Sequence, residues 1–554
     1  MAETDTKAPF ASPGLSNGAA MRRGGPPVPA WLRQSFAQTM RGVPEVETLR
    51  FGREASGDAG STAIRDAGDL ARHFNPFQGE IDAKGRVLGG TGTTTINAEV
   101  QNYRGDFSAG NHVFEPDGLR LQATVDAGRF DSYLRGDITR RKGGFNSNPP
   151  GGTVPTRLAD IGLRPGDLDK ITVGDVTTNG PGGLATVAAI DRAAGTIVFE
   201  AISGGARADY AGNFHLTFTR FAFAPLAAPT AIEEGVTQEV QLSRPLPPGI
   251  VPGCFARGVK RGPQPSNDPR SIAQACVASI SADRRTVRFD RPLRFGAPIL
   301  AAEGDGLLFL PGLWSGQLWS KRSYGAQRQG LSVQGIRIEA SFPALPNYRG
   351  DTAYTRTDVD AVLDANSGMP WGFWPALWLY TWRPGPKGIG QRIVPQARNG
   401  WAEVDILELF TRLGQGPSVW SGNLHDQPYS RVRALAAQGG DEAQNGGAWR
   451  ASAPDKKLLS ANASTLLLPR PMADGERHSF GIVWTRGQVV HYMDDHPICV
   501  SDWPLQVDYP HQLGLNLACG SLAGFNPVAL FFPQTQADAQ KQSMTIHSVQ
   551  SWEA

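Results

Sequence analysis

Trp401-Ala-Glu-Val-Asp-Ile-Leu-Glu-Leu-Phe410 alternates polar and apolar side chains. A strand has a side-chain period of two, so Trp401, Glu403 and Asp405 point to one face while Val404 and Ile406 point to the other. Glu408 breaks the parity. One β-bulge near Ile406 or Leu407 would add a residue and return Glu408 to the face of Glu403 and Asp405. The stretch therefore predicts three carboxylates crowded on one surface, with Trp401 on the same face marking a cleft wall.

Carboxylates packed this closely push one another's pKa upward. Cleavage of a glycosidic bond uses that arrangement: one ionised carboxylate attacks or stabilises the anomeric carbon, and a second, still protonated, gives its proton to the leaving oxygen. Sugars also present apolar C–H faces on which aromatic rings stack, while polar groups take the hydroxyls. In Phe373-Trp-Pro-Ala-Leu-Trp-Leu-Tyr380 the same period puts Trp374, Ala376, Trp378 and Tyr380 on one face, and Trp374 and Trp401 are the candidate platforms. Asn423 and His425 share a face in Ser421-Gly-Asn-Leu-His425, as candidates for binding hydroxyls. His491 and His496 flank Tyr492-Met-Asp-Asp495, but that segment reads as a hairpin turn without zinc-site spacing, so no metal is expected there.

Beyond these segments, the 554 residues include 66 Gly and 42 Pro with only 19% charged side chains, which predicts an all-β chain of short strands and turns. A net charge of +2 gives no reason to expect nucleic acid. No apolar run reaches the roughly 20 residues that span a bilayer, and the start, Met1 to Lys7, lacks the pattern of a signal peptide. Cys254, Cys276, Cys499 and Cys519 leave both disulfides and free thiols open.

Residues 1–72 read as a loosely ordered Gly/Pro/Ala-rich leader with two short helical stretches, around Trp31 to Met40 and Ala63 to Phe74. Residues 73–126 and 307–554 carry strand patterns, such as Leu119, Leu121, Ala123 and Val125 on one face. Between them, 127–306 reads as an inserted small β-domain. Within it, Ala185 to Glu200 aligns without gaps on Ala275 to Asp290, each copy a hairpin, which predicts two similar units.

Glu403-Val-Asp-Ile-Leu-Glu408 resembles the E-x-D-x-x-E signature of glycoside hydrolase family sixteen. Other segments agree in order: Asn97 to Tyr103, Phe114 to Leu121, Ser315 to Ser320, Gly372 to Leu379, His478 to Trp484, Tyr492 to Asp495 and Leu515 to Gly520. The resemblance implies a concanavalin-like β-jelly-roll, with Glu403 as nucleophile, Glu408 as general acid/base and Asp405 between them. It also implies a retaining endo-glycosidase of the laminarinase-like branch, acting on β-1,3- or mixed β-1,3/1,4-glucan outside the cytoplasm, in the extracellular space or periplasm. The alternatives are agar-like galactan or a bacterial exopolysaccharide as substrate, or a non-catalytic glucan-binding protein on the same fold. No cofactor is expected. Many family members resemble one another in a structural calcium held by an acid in the last strand, but the matching position here is His547, which speaks against calcium.

Overall fold

The computed structural model describes residues 34–76, 101–107, 110–128, 132–138, 153–158, 163, 165–179, 183–203, 214–233, 236–259, 274–293, 299–324, 333–345, 372–380, 403–411, 419–422, 424–425, 465–467, 471–485, 489–501, 511–519 and 542–554. These form an all-β molecule whose main body is a sandwich of two large sheets.

The nine-stranded sheet runs Thr62–Ile64, Glu45–Phe51, Ser543–Glu553, Val333–Ser341, Arg477–Thr485, Val489–Met493, His496–Ser501, with Gly118–Gln122 also on Ser543–Glu553 and His112–Glu115 beyond it. The eight-stranded sheet runs Thr465–Leu467, Val419–Ser421, Glu403–Glu408, Trp374–Tyr380, His511–Ala518, Gln317–Tyr324, Phe74–Asn75, with Leu424–His425 also pairing to Glu403–Glu408. Period two explains the core. Ile336, Ile338, Phe480, Ile482, Met544 and Ile546 of one sheet meet Leu377, Leu379, Val404, Leu513, Leu515 and Leu517 of the other in one buried cluster.

Part of the segment read as a leader belongs to this sandwich: Glu45–Phe51 pairs antiparallel with Ser543–Glu553 and buries Leu49 and Phe51. Helices Phe36–Thr39 and Ala67–His73 fall inside the two expected helical stretches. The first is closed by a capping box between Ser35 and Gln38 and docks on the outer face of the nine-stranded sheet, where the Phe36 ring meets Tyr492 and Trp552 edge-on. Leu119, Leu121, Ala123 and Val125 are all buried, on strands that diverge: Gly118–Gln122 joins the large sheet and Thr124–Ala127 pairs with Gly312–Ser315.

The two hairpins that resemble each other in sequence belong to two six-stranded sheets of identical topology. In the first, strands Ser132–Ile138, Thr153–Arg157, Val176–Asn179, Gly183–Asp191, Thr196–Ser203 and Phe214–Thr219 lie in the order first, sixth, third, fourth, fifth, second. Ala222–Pro225, Glu239–Gln241, Phe255–Val259, Gln274–Ile280, Thr286–Phe289 and Gly306–Leu310 repeat that order. The match extends to single atoms. Both hairpins carry a bulge at the same aligned place, between Val187 and Ala189 and between Val277 and Ser279. Gly174 N–H donates to the Val187 carbonyl at 2.8 Å as Gly253 N–H does to Val277 at 2.8 Å, both glycines at positive φ. The sequence boundary at 306/307 falls inside strand Gly306–Leu310, which completes the second unit before the chain re-enters the sandwich at Gly312–Ser315. Cys254, Cys276 and Cys519 are free thiols, the first and last buried. Among the described residues no helix is long and apolar enough to cross a membrane.

Candidate active site

Strand Glu403–Glu408 lies between Trp374–Tyr380 and Val419–Ser421. Its register with Trp374–Tyr380 runs Glu403↔Tyr380, Val404↔Leu379, Asp405↔Trp378, then shifts to Leu407↔Leu377 and Glu408↔Ala376. Ile406 is the extra residue, so the bulge lies where the parity argument required it. Its cause is apolar burial: Ile406 and Leu407 both drop into the sandwich core, at 1% and 0% exposure, and position 408 returns to the outward face with 403 and 405.

Three cross-strand rows then traverse that face, spaced by the pleat. One runs Ser421, Glu408, Ala376, Asn516, Gln317. The next runs Asp405, Trp378, Gly514, Trp319, and the third runs His425, Glu403, Tyr380, Gln512. In the first row Ser421 is fully buried and its hydroxyl has no hydrogen-bond partner among the described residues, directly opposite Glu408. Asn516 is held at both ends: Trp378 Nε1 donates to its Oδ1 at 2.7 Å and its Nδ2 donates to the Tyr103 hydroxyl at 2.8 Å. In the second row the strand has glycine at 514 because the indoles of Trp378 and Trp319 lie over it; a Cβ there would come within 3 Å of both. Those two rings meet edge-to-face at 4.9 Å, and Tyr380 adjoins Trp378 at 5.5 Å.

Of the seven residues expected at the site, Asp405 and Glu408 stand on this face, and Asp405 is buried. Positions 403 and 425 are register partners in the third row. Trp374 shares the face of Glu408: its indole N–H donates to Glu408 Oε1 at 3.1 Å, its ring tilts against Phe410 at 5.1 Å, and it is 4% exposed. Trp378, four residues on along the same face, is half-buried. Trp401 and Asn423 lie outside the described residues. Sequence reasoning missed Ser421, Asn516, Gln317, Tyr103 and Trp319. The strand pattern around Asn516, one polar residue among Leu513, Leu515 and Leu517, is the signal that marks it.

Three other histidines are committed to protein partners. His491 Nε2 donates to the Asp405 carbonyl at 3.0 Å, and His496 Nδ1 lies 2.7 Å from the Asp494 carbonyl. His547, at the position that the resemblance links to calcium, donates Nδ1–H to the Asp117 carbonyl at 2.7 Å and bonds Ser341 Oγ through Nε2 at 2.9 Å. Calcium asks for an oxygen cage, and an imidazole with both nitrogens bonded does not supply one.

No protein-family model matches the chain, and no curated protein matches it either. Solved structures similar to it include an endo-β-1,3-glucanase from Pyrococcus furiosus, at 19% identity over 45% of this chain and 68% of that one, with a TM-score of 0.25. The laminarinase catalytic domain from Thermotoga maritima is similar at 21% identity over 44% and 70%, TM-score 0.24. An endo-1,3-β-glucanase (laminarinase) catalytic domain from Thermotoga petrophila is similar at 18% identity over 54% and 75%, TM-score 0.24.

Proposed function

We propose that this chain is a retaining endo-glycosidase of the family-sixteen kind, hydrolysing β-1,3- or mixed β-1,3/1,4-glucan. The observation that carries the reading is the bulge at Ile406, which aligns positions 403, 405 and 408 on one outward face. The E-x-D-x-x-E resemblance assigns their roles. Glu403 attacks the anomeric carbon, Glu408 protonates the leaving oxygen, and the glycosyl-enzyme is then hydrolysed by water that Glu408 deprotonates. Asp405 stands between them and couples their protonation.

The surroundings support this division. Trp374 directs its N–H at one oxygen of Glu408 and so orients the carboxyl, while Asn516, fixed between Trp378 and Tyr103, brings a held amide to the row of Glu408. The Trp319–Trp378–Tyr380 cluster offers aromatic surface for the C–H face of a sugar. No cofactor enters the chemistry. A polymeric glucan places the enzyme's work outside the cytoplasm, in the extracellular space or periplasm.

The test is release of reducing ends from a panel of laminarin, mixed-linkage glucan, agar and a bacterial exopolysaccharide, with Glu403→Gln as the blank. Release from the β-1,3-containing glucans by the wild type alone supports the reading. Retention of laminarin on the protein without release would instead make it a glucan-binding protein, and release from agar alone would move the substrate to galactan.

A further inference from the structure

A bulge locally disrupts the ladder, so the peptide groups around it are candidates for hydrogen bonds from side chains. At the bulge at Ile406 two carbonyls accept hydrogen bonds from aromatic N–H groups on other strands. His491 Nε2 donates to the carbonyl of Asp405 at 3.0 Å, and Trp420 Nε1 donates to the carbonyl of Ile406 at 3.2 Å. The two donors arrive from different directions. Trp420 sits on the neighbouring strand of the same sheet. His491 comes from the opposing sheet: Val489 and Met493, two residues to either side, lie in the core, so His491 reaches across the sandwich.

The donors also hold each other. The rings of Trp420 and His491 meet edge-on at 5.1 Å and 67°, at 0% and 2% exposure. Gly422 leaves the room they need, because a Cβ there would lie within 3 Å of both the Trp420 ring and the Asp405 carbonyl oxygen. His491 Nε2 faces a carbonyl and therefore carries a proton, Nδ1 has no hydrogen-bond partner among the described residues, and burial pulls the pKa down to about 4, which leaves the ring neutral near pH 7. An apolar ring would fill the same volume without burying an unpaired nitrogen. Among the described residues, the polar atom of this imidazole that is bonded is the one on the Asp405 carbonyl.

Resting on the hydrolase reading above, we propose that His491 and Trp420 are positioning residues that lock the bulge at Ile406. A bulge that slips by one residue turns the side chains beyond it to the opposite face. Here a slip would carry Glu408, or Asp405, off the face that holds the other acids. The two N–H donors fix the site of the extra residue from the core side, where no substrate reaches, and so set the separation of the carboxylates without touching the reaction.

The experiment uses the full chain with His491→Phe, His491→Gln and Trp420→Phe, the first and third removing a donor and the second returning one. On the best polysaccharide of the panel, His491→Phe should lower kcat ~10- to 100-fold, the loss that displacement of a reacting group by about an ångström brings, with KM within about twofold. His491→Gln should recover most of it, and the alkaline limb of the kcat profile should move in His491→Phe and return in the Gln variant. A second readout does not depend on catalysis: amide hydrogen exchange in peptides covering 403–410 should quicken at least ~10-fold in both donor-free variants, while that in 333–341 stays as in the wild type. If His491→Phe does not fold, Trp420→Phe carries the same measurements. Wild-type kcat and exchange in the donor-free variants, or exchange that quickens equally in every strand, overturns the lock. A wild type inactive on every polysaccharide, with exchange still quickened only in 403–410, sustains the lock on the bulge and overturns the hydrolase.

Discussion

Trp374 donates its indole N–H to Glu408 Oε1 at 3.1 Å from the neighbouring strand, with its ring packed against Phe410. A hydrogen bond given to a carboxylate favours the ionised form. Trp374→Phe keeps an aromatic ring on Phe410 and removes the donor, so the alkaline limb of kcat/KM should shift to higher pH. The net bond is worth about 1.5–3 kcal/mol with a charged acceptor, and kcat should fall by roughly tenfold or more, since the carboxyl also loses its orientation. A profile unchanged from the wild type would take Trp374 out of the machinery.

Gly514 is crossed by two indoles, and Gly514→Ala brings a methyl within 3 Å of Trp378 and Trp319. Overpacking of this kind costs about 1–3 kcal/mol. Because the displaced rings form the aromatic surface of the site, KM should rise more than kcat falls, and the near-UV circular dichroism should lose intensity. Thermal melting and steady-state kinetics on one preparation separate the two effects.

Acid stability follows from two buried imidazoles. Burial, the largest influence, pulls His112 and His491 each from the ordinary 6.5 to about 4, against the opposing backbone hydrogen bonds with Gln317 and Asp405 and the charges of Asp106 and Asp405. The unfolded chain therefore binds these protons near 6.5 and the folded chain not until about 4. Each histidine's contribution is complete above 6.5 and is lost as pH falls toward 4, about 2 kcal/mol apiece at pH 5. His478 has the opposite sign. Burial works against its charge, but Asp494 and Asp474, on its two nitrogens at 2.8 and 3.1 Å, raise its pKa overall. Its share is present below 6.5 and lost as pH rises through the folded value. Urea midpoints at pH 5 and 7.5 should show His112→Phe with a shallower acid loss than the wild type; equal slopes would mean that the buried ring is not neutral.

The strand Glu403–Glu408 was legible because its information is local. Two apolar residues in succession, Ile406-Leu407, fall on the core side only if the strand bulges, and that follows from parity. The hairpin duplication was legible for the same reason: its bulge and turn lie within sixteen residues. Asn516 and Gln317 were not, since their place beside Glu408 comes from register between strands about a hundred residues apart, and Ser421 was not because the pairing of two strands, not their sequence, sets it opposite Glu408. His491 was read by its neighbours in a hairpin, although its role comes from the opposing sheet. Glu45–Phe51 was hidden by the Gly- and Pro-rich sequence around it, and its partner is the last strand of the chain.

The two glutamates should fail in different ways, and chemical rescue distinguishes them. In a retaining enzyme carboxylates ~5–5.5 Å apart act in succession as nucleophile and acid/base. Glu408→Ala removes leaving-group protonation, so cleavage of polymer should collapse by about 100-fold or more, the usual weight of general acid catalysis. An aryl glycoside with an acidic leaving group needs little protonation and should still form the glycosyl-enzyme on Glu403. Azide then attacks that intermediate from the side of the departed aglycone and yields the β-glycosyl azide. Glu403→Ala has no nucleophile, and azide entering the vacated side should give the α-glycosyl azide. Proton NMR of the anomeric centre reads the difference. The opposite configurations from the two variants would exchange the roles of Glu403 and Glu408, and full activity of both on polymer would move the reaction away from this strand.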